Sequence, residues 1–436
     1  MKPDVVVIGG GLAGAEAAWQ AANKNSKVIL YEMRPKVMTP AHHTDQLAEL
    51  VCSNSLKAKA LDNAAGLLKE EMRRLGSLIV KCADETEVPA GGALAVDRRG
   101  FAACVTEALS QHDNIEIVRE EVKTIPFSNI PVVIATGPLT SDALADDIKE
   151  ITGEEALYFF DAAAPIVTSE SIQSDKVFRA SRYDTGGDDY LNCPMDKETY
   201  EKFWSALVEA KVHPLKDFEE GQYFEGCVPV EELAKRGKNT LLFGPLKPVG
   251  LIDPKTKEQP HAVVQLRQDD KEGNLYNLVG FQTRLTWPEQ KRVFRMISGL
   301  EEAEFVRYGV MHRNSFIESR KCLDASLAVK QAPHLFFAGQ ITGVEGYMES
   351  ASNGLIAGIN AARASQGLKA VVFPKETAHG ALCHYITSTV TKKFQPMNIN
   401  YGLLPNLDEK VKDKKKRRRM VSQKALHALE EFCEHL

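Results

Sequence analysis

The chain has 436 residues, which is too long for one ordinary hydrophobic core, so we expect two or three lobes. Hydrophobic residues make up 44% and charged residues 26%, as in soluble globular proteins, and no apolar run is long enough to span a membrane. The net charge of −5 hides an asymmetry, because segment 410–419 holds eight Lys or Arg and one Asp, a net +7, and the rest of the chain carries −12.

Eight cysteines are scattered along the chain without a C-x-x-C pair. This spacing argues against a zinc, iron–sulfur or redox-active dithiol site, so we expect no bound metal. The N-terminus opens directly on an apolar strand and lacks the basic region and cleavage site of a secretion signal. Together these features predict a protein of the reducing cytoplasm.

A strand, a glycine-rich turn and a helix open the chain. Residues 4–8 are an apolar, β-branched run typical of a buried parallel strand, and the Ala-rich segment 15–22 predicts a helix. Between them, three glycines fall on the G-x-G-x-x-G spacing of dinucleotide-binding folds, in which the amides of a helix N-terminus face a pyrophosphate. The residues that we expect to hold a dinucleotide in this turn are Gly9, Gly10, Gly11, Leu12, Ala13 and Gly14.

A second strand, residues 27–31, ends at Glu32. This places a carboxylate eighteen residues after Gly14, at the tip of the second strand, where it can accept hydrogen bonds from a ribose. The turn, the strand and the acid together predict a dinucleotide site. They leave open which dinucleotide binds.

Two later strand ends favour FAD over NAD. The apolar strand 131–137 ends in Ala-Thr-Gly, which places Gly137 against the cofactor, and a much later strand ends at Gly339 and Gln340. Common FAD proteins of this architecture have an Asp after that glycine, whereas Gln340 can hydrogen-bond a ribityl hydroxyl but brings no charge. We expect a helix over 350–364 to direct its N-terminal dipole at the flavin. An NAD site would need only the glycine turn after the first strand.

The residues between these strands predict an insertion of mixed structure. Short strands are expected at 241–243 and 262–266, and Thr286 and Glu289 form a predicted capping box before a helix over 290–300. No second G-x-G-x-x-G occurs, so no NAD(P)H domain is evident. The predicted fold is α/β, with a Rossmann-like, glutathione-reductase-like FAD-binding domain and a large α+β insertion domain. The predicted domains are residues 1–140 with 330–436 for the FAD-binding domain and 141–329 for the insertion.

The C-terminal region joins the basic segment to a helix. Apolar residues recur at helical spacing over 421–432, which predicts a packed helix that carries or follows the basic run. A charge block of this kind is either a solvated tail or an RNA-binding edge, because contacts with phosphates release counterions. The packed helix favours RNA contact.

Two cysteines and three further side chains are candidates for chemistry. Cys52 lies among polar residues in the loop expected beside the flavin, and Cys227 lies just before a predicted helix, where a thiol gains thiolate character. Each of them can also be explained as a small buried residue. The other three, His312, Arg284 and Trp287, suit a flat, anionic ligand but equally suit packing.

Five motifs carry a resemblance to a known enzyme family. They are residues 9–14, 39–45, 52–57 (CSNSLK), 224–227 (FEGC) and 339–347. Together they resemble the folate- and FAD-dependent tRNA (uracil-5-)-methyltransferase family, TrmFO, over nearly the whole chain. The sister family of wobble-uridine modification flavoproteins, MnmG, is similar at the glycine turn and around 339–360. It is longer, and its chemistry is not tied to a Phe-Glu-Gly-Cys motif.

The resemblance implies an activity and a division of roles. Such enzymes methylate C5 of a tRNA uridine, position 54 of the T loop, with 5,10-methylenetetrahydrofolate as one-carbon donor, reduced FAD as reductant, and NADH or NADPH to restore the flavin. Cys227 would be the nucleophile at C6 and Cys52 the general base at C5. The implied folate-binding residues are His312, Arg284 and Trp287, and the implied tRNA-binding residues are Lys414, Lys415, Arg417 and Arg418.

Two alternatives fit the same residues. A closely related enzyme would methylate a uridine of ribosomal RNA by the same chemistry. A member of another class, a flavin-dependent oxidoreductase, would act on a small substrate and carry the basic segment as a solvated tail. Mapping of the methylated base distinguishes methylation of tRNA from methylation of ribosomal RNA. The salt dependence of tRNA binding distinguishes an RNA-modifying enzyme from an oxidoreductase that acts on a small substrate.

Overall fold

Within the described residues, 2–126, 129–153, 157–182, 187–213, 228–388, 394–407 and 411–436, the strands of this computed structural model form four sheets. The strands, in chain order, are β1 Val5–Ile8, β2 Val28–Tyr31, β3 Ser55–Ala58, β4 Glu87–Val88, β5 Ala93–Val96, β6 Ile115–Val118, β7 Val132–Ile134, β8 Leu157–Ala162, β9 Ile166–Thr168, β10 Phe178–Arg179, β11 Tyr190–Met195, β12 Ala262–Gln268, β13 Leu275–Leu278, β14 Phe305–Arg307, β15 Met311–Phe316, β16 Ala328–Val329 and β17 Ala332–Phe337. The α-helices, in chain order, are α1 Leu12–Asn23, α2 Ala64–Arg74, α3 Leu78–Glu85, α4 Arg98–Ser110, α5 Asp142–Thr152, α6 Lys197–Glu209, α7 Val230–Lys235, α8 Thr240–Phe243, α9 Trp287–Phe294, α10 Ser319–Cys322, α11 Tyr347–Ser365, α12 Ala378–Ser388 and α13 Lys414–Cys433.

The first sheet has the strand order β16-β17-β7-β1-β2-β6. Its central strand β1 pairs in parallel with β2 and β7, β17 and β6 extend the parallel pairing, and β16 runs antiparallel to β17. Val5 and Val7 of β1 pack in one core with α1 and α11, whereas Val6 and Ile8 pack in another with α5. Helices therefore cover both faces of a parallel sheet, and the predicted Rossmann-like α/β fold is confirmed.

The second sheet is antiparallel and lies in the predicted insertion, with the order β10-β11-β12-β13-β9-β14. Because side chains alternate along a strand, β12 has an apolar and a polar face. Val264 and Leu266 pack in a core with α6 and α9, and Gln265 and Arg267 lie on the opposite face. Arg267 Nε donates to Asn54 Oδ1 at 2.8 Å, so the polar face of this sheet meets the loop between β2 and β3.

The strand predicted at 241–243 is wrong. These residues belong to the short helix α8, in which Gly244 N–H donates to the Leu241 carbonyl at 3.1 Å. Three apolar residues in a row fit a strand or a helical turn equally well, so their pattern alone cannot distinguish the two. The strand predicted at 262–266 is confirmed as part of β12.

The predicted capping box before α9 is also wrong. Thr286 makes no side-chain capping bond, and its own N–H, which the Glu289 side chain would accept in a capping box, donates to the Lys211 carbonyl at 3.1 Å instead. Glu289 instead pairs with Arg292 at 2.6 Å. The helix accordingly spans Trp287–Phe294 and ends well before residue 300.

Two further properties concern membranes and metals. None of the helices in the described part of the chain combines the length and the apolar content needed to cross a membrane. Among the same residues, no three His, Cys, Asp or Glu side chains are grouped so as to hold a metal ion.

Candidate functional site

A cleft of about 1050 Å³ opens at the carboxyl ends of β1, β2, β7 and β17. In parallel α/β sheets, ligands bind at this edge. The predicted cofactor-binding residues that line the cleft are Gly9, Gly10, Gly11, Leu12, Ala13, Glu32, Gly137, Gly339 and Gln340. The predicted Gly14 is not a lining residue, because it packs against the backbone of Gly9, the residue that follows β1.

The glycine turn leaves room for the sheet on one side and for a ligand on the other. A Cβ at Gly14 would lie 1.7 Å from the Gly9 carbonyl oxygen, so only glycine lets α1 pack this closely on β1. A Cβ at Gly11 would meet no protein atom within 4 Å, and Gly11 lines the cleft. Gly11 is the N-cap of α1 and provides no side-chain cap, so the first amides of the helix are available to an anion. The turn therefore fits a pyrophosphate.

Glu32 lies just after β2, as predicted, and both of its carboxylate oxygens accept hydrogen bonds from the protein. Oε2 accepts from Gly10 N–H at 2.9 Å, and Oε1 accepts from the backbone N–H and the guanidinium of Arg34 at 2.9 and 3.0 Å. Burial raises the pKa of Glu32, but the hydrogen bonds and charge of Arg34 outweigh burial and hold that pKa below its usual value. Glu32 is therefore an ionised acceptor held firmly in the cleft wall, and its contact with a ribose stays a prediction.

The cleft wall near Gln340 differs from the prediction in one respect. Gln340 Nε2 donates to Glu345 Oε2 at 2.7 Å, and the helix that follows begins at Tyr347, not at Ser350. Ser350 lines the cleft, but its N–H donates to the Gly346 carbonyl at 2.9 Å inside the helix. The amides available at this helix N-terminus therefore belong to the residues just before Ser350.

Cys52 lines a second cavity of about 380 Å³. Its loop lies between the two cavities, because Val51 lines the large cleft whereas Cys52 and Ser53 line the small cavity. The remaining lining residues are Ala164, Arg267, Asn277, Val279, Gly280 and Gln282. The Cys52 thiol is thus one residue away from the wall of the cofactor cleft, in the loop where the sequence predicts it.

Hydrogen bonds fix the Cys52 loop. The Tyr347 hydroxyl oxygen accepts the backbone N–H groups of Cys52 and Ser53 at 2.8 and 3.2 Å, and burial raises the pKa of Tyr347, so the hydroxyl stays protonated. Arg98 and Arg307 each donate to a backbone carbonyl of the loop. Arg267, on the polar face of β12, donates from its guanidinium to the Ser53 hydroxyl at 2.7 Å. Guanidinium groups near a cysteine favour its thiolate form, so these surroundings suit acid–base chemistry at Cys52.

The predicted nucleophile, Cys227, lies outside the described residues, and its role stays a prediction. Three residues further on, Val230 N–H donates to the carbonyl of Gln282, a residue of the small cavity, at 2.7 Å. His312 lies on β15 opposite Asp161 of β8. The side chain of His312 is outside what the structure describes, so its stacking on a pterin also stays a prediction.

Arg284 and Trp287 each have a partner within the protein. Arg284 donates from its guanidinium to Glu232 at 2.6 Å, and its buried Nε has no hydrogen-bond partner among the described residues. Trp287 is 56% exposed and stacks on Tyr308, with ring centroids 5.4 Å apart and planes inclined by 14°. Neither residue lines the large cleft or the small cavity, and their contact with folate stays a prediction.

The basic residues lie on the first turns of α13. Lys414, Lys415 and Arg417 are exposed, whereas the guanidinium carbon of Arg418 lies 5.3 Å from the centroid of the Tyr401 ring. The later turns bury apolar side chains in the same core as α1 and α11, namely Ala425, Leu426 and Leu429. The prediction that a packed helix carries the basic segment is confirmed for its described residues.

Three residues around Cys52 are absent from the sequence-based predictions. Arg267 and Asn277 gave no signal, because only the pairing of β12 with β13 and the packing of that sheet place them beside Cys52. Arg98 follows Asp97, whose side chain caps α4, and the sequence does not show that its guanidinium reaches the loop.

Comparisons with known proteins agree with this geometry. Residues 4–369 match the family model described as glucose inhibited division protein A, GIDA. A curated methylenetetrahydrofolate–tRNA-(uracil-5-)-methyltransferase TrmFO from Pelotomaculum thermopropionicum is 62% identical over 99% of this chain and 99% of its own, and one from Heliobacterium modesticaldum is 62% identical over 98% and 97%. The solved structure of GidA from Aquifex aeolicus, in its form I crystal, has a TM-score of 0.72 at 18% identity over 99% of this chain and 76% of its own, and so shows the fold. The chain therefore belongs to the TrmFO family, the methylenetetrahydrofolate–tRNA-(uracil-5-)-methyltransferases.

Proposed function

We propose that this chain methylates C5 of a uridine in tRNA, position 54 of the T loop, with 5,10-methylenetetrahydrofolate as the one-carbon donor and FAD as a bound cofactor reduced by NADH or NADPH. One observation carries this proposal. The loop Val51–Ser53 forms part of the wall of a cleft that fits a dinucleotide and also part of the wall of the Cys52 cavity. A reacting base in the small cavity would therefore lie next to the cofactor. The names of the relatives support the substrate and the donor.

The proposed chemistry needs a nucleophile and a base because uracil C5 is a poor nucleophile. The Cys227 thiolate bonds to C6, and the electron pair of the C5–C6 double bond moves toward O4 to give an enolate. C5 then bonds to the methylene carbon of the folate as the bond from that carbon to N10 breaks, and the C4 carbonyl forms again. Cys52 removes the C5 proton, and loss of tetrahydrofolate leaves an exocyclic methylene with Cys227 still bonded at C6. If FAD is bound in the cleft lined by Gly11 and Glu32, its reduced form would supply the hydride that converts this methylene into a methyl group as the C6–S bond to Cys227 breaks.

The described chain next to Cys227 supports its part in this scheme. Val230 is only three residues away in the sequence, and its N–H is bonded to Gln282 in the wall of the small cavity. The proposed nucleophile is thus joined by a short segment to the cavity that Cys52 lines.

A single assay tests the proposed function. The purified protein should be yellow and should convert uridine to 5-methyluridine in unmodified tRNA when methylenetetrahydrofolate and NADPH are supplied. A tRNA with cytidine at position 54 and a reaction without folate are the controls, and mapping of the methylated base in tRNA and ribosomal RNA identifies the target. A colourless protein that takes up no FAD on reconstitution, or one that leaves uridine unmodified, contradicts the proposal.

Replacement of Lys414, Lys415, Arg417 and Arg418 by Ala should weaken tRNA binding without changing the flavin spectrum. The first three side chains are exposed on α13, where phosphates can reach them, and Lys415 also lies 3.6 Å from the carboxylate of Asp62. Each lost phosphate contact should make the slope of log K against log salt less negative by about 0.7–0.9. Measurement of tRNA affinity over a salt series checks this.

The matched control for the basic helix is the double variant Lys414→Arg, Lys415→Arg, which keeps the charge of the surface. It should bind tRNA with the salt dependence of the parent protein. If the Ala variant binds tRNA with unchanged affinity and slope, the RNA footprint lies on another surface.

A further inference from the structure

The small cavity beside Cys52 contains a buried hydrogen-bond donor that pairs with none of the residues the structure describes. Asn277 is 2% exposed, and its Nδ2 has no hydrogen-bond partner among the described residues. Asn277 lines the cavity together with Cys52. Buried side-chain amides are almost always paired, so an unpaired one in a cavity wall is available to an acceptor on a bound molecule.

The strand register explains why Asn277 points at this cavity. Asn277 on β13 is directly opposite Arg267 on β12, and residues opposite each other in an antiparallel pair have their side chains on the same face. Arg267 lines the same cavity and is fixed by hydrogen bonds to Ser53 and Asn54 at 2.7 and 2.8 Å. A second buried asparagine on this sheet, Asn192, is different, because its Nδ2 donates to the carbonyl of Ala180 at 2.9 Å.

We propose that the side-chain amide of Asn277 binds the O4 and N3 edge of the target uracil and thereby distinguishes uracil from cytosine. This inference rests on the proposed function. In uracil, C5 is bonded to C4, so a base whose C5 faces Cys52 presents O4 to the same small cavity. O4 is a hydrogen-bond acceptor and N3–H is a donor, and the amide of Asn277 offers the matching donor and acceptor.

The same donor stabilises the charge that the reaction creates. When a thiolate bonds to C6, the negative charge of the enolate collects on O4. A fixed amide donor in a buried site stabilises such a charge without having to reorganise. Cytosine has an amino group in place of O4 and an unprotonated N3, so Asn277 Nδ2 would face another donor. With the amide in this orientation, Nδ2 toward position 4 and Oδ1 toward N3, the cavity admits uracil and disfavours cytosine.

The test compares Asn277→Ala and Asn277→Asp with the parent protein on T-stem-loop RNAs that carry uridine or cytidine at the target position. For Asn277→Ala, we expect kcat with uridine to fall about 100-fold, as when one donor to a developing oxyanion is lost. We expect KM for the RNA to change little, because phosphate contacts dominate affinity. Asn277→Asp should shift the ratio of kcat/KM for uridine and cytidine toward cytidine, because a carboxylate accepts from the amino group.

Asn192→Ala is the matched control, since it removes a buried amide from the same sheet that is already paired within the protein. It should keep the uridine-to-cytidine ratio of the parent. Flavin content and thermal unfolding of every variant report whether it folds. If both Asn277 variants fold and keep the parent kcat and ratio, this inference alone is overturned, whereas a parent protein that makes no 5-methyluridine overturns the proposed function and this inference with it.

Discussion

Gly14→Ala should produce a protein that has lost its flavin and unfolds at a lower temperature. The added Cβ would lie 1.7 Å from the carbonyl oxygen of Gly9 and 2.9 Å from its carbonyl carbon. Both atoms belong to the backbone, so no side chain can rotate away, and α1 must move off β1. α1 is part of the core that contains Val5 and Val7, and overpacking of such a core costs about 1–3 kcal/mol or more.

The movement of α1 would also change the shape of the cofactor cleft, because the residues at the start of this helix form part of the cleft wall. The ratio of flavin absorbance to protein absorbance measures the loss of cofactor. Thermal unfolding with and without added FAD measures the loss of stability. A Gly14→Ala protein that retains its full complement of flavin would show that the glycine turn does not bind the flavin cofactor.

Gly11→Ala tests cofactor binding by the turn separately from the packing of α1 on the sheet. Its Cβ would meet no protein atom within 4 Å, so the unfolding temperature of the flavin-free protein should not change. The same Cβ would occupy space on the wall of the cleft where a pyrophosphate approaches the backbone, so FAD affinity should fall. Gly92→Ala, another position with no atom within 4 Å and outside both cavity walls, should change neither quantity.

The centre of the first sheet could be predicted from the sequence because β1 and β7 are short, continuous apolar runs buried on both faces. The strands predicted at 4–8 and 27–31 are β1 and β2, which each begin one residue later than predicted and end at the predicted residue. The fingerprint glycines add a constraint that does not depend on periodicity, since each is required by a specific close approach. Residues 241–243 lacked any such second constraint, and their prediction failed.

The site could be predicted only in part, because half of it is assembled by tertiary structure. The polar surroundings of Cys52 in the sequence pointed to that residue. Asn277 and Arg267 alternate with apolar residues on strands of the insertion, where a polar residue normally indicates a solvated face. In this protein the polar face packs against the Cys52 loop instead, and a strand register and an interface between distant segments are not visible in a local pattern.

Cys227→Ala should abolish formation of 5-methyluridine and Cys52→Ala should slow it strongly. The two variants should also differ in covalent trapping by a T-stem-loop RNA that contains 5-fluorouridine. The trap requires only that a thiolate bond to C6, so Cys52→Ala should still form the adduct. Cys227→Ala should not form it. Loss of a general base lowers a rate by about 100-fold to 10,000-fold, so methylation by Cys52→Ala should fall at least into that range. Mass spectrometry of the protein–RNA adduct and quantification of 5-methyluridine measure the two effects.

Cys433→Ala is the control, since Cys433 is exposed on the last turn of α13 and should leave both methylation and trapping intact. Each of the other outcomes assigns the roles differently. An adduct that persists in Cys227→Ala removes that residue from the nucleophile role, and loss of the adduct in Cys52→Ala would make Cys52 the nucleophile. The second result would agree with the guanidinium groups around the Cys52 loop, because their charge favours a thiolate for attack as well as for proton removal. The charge around the loop is compatible with either role for Cys52, general base or nucleophile. The trapping experiment distinguishes these two roles.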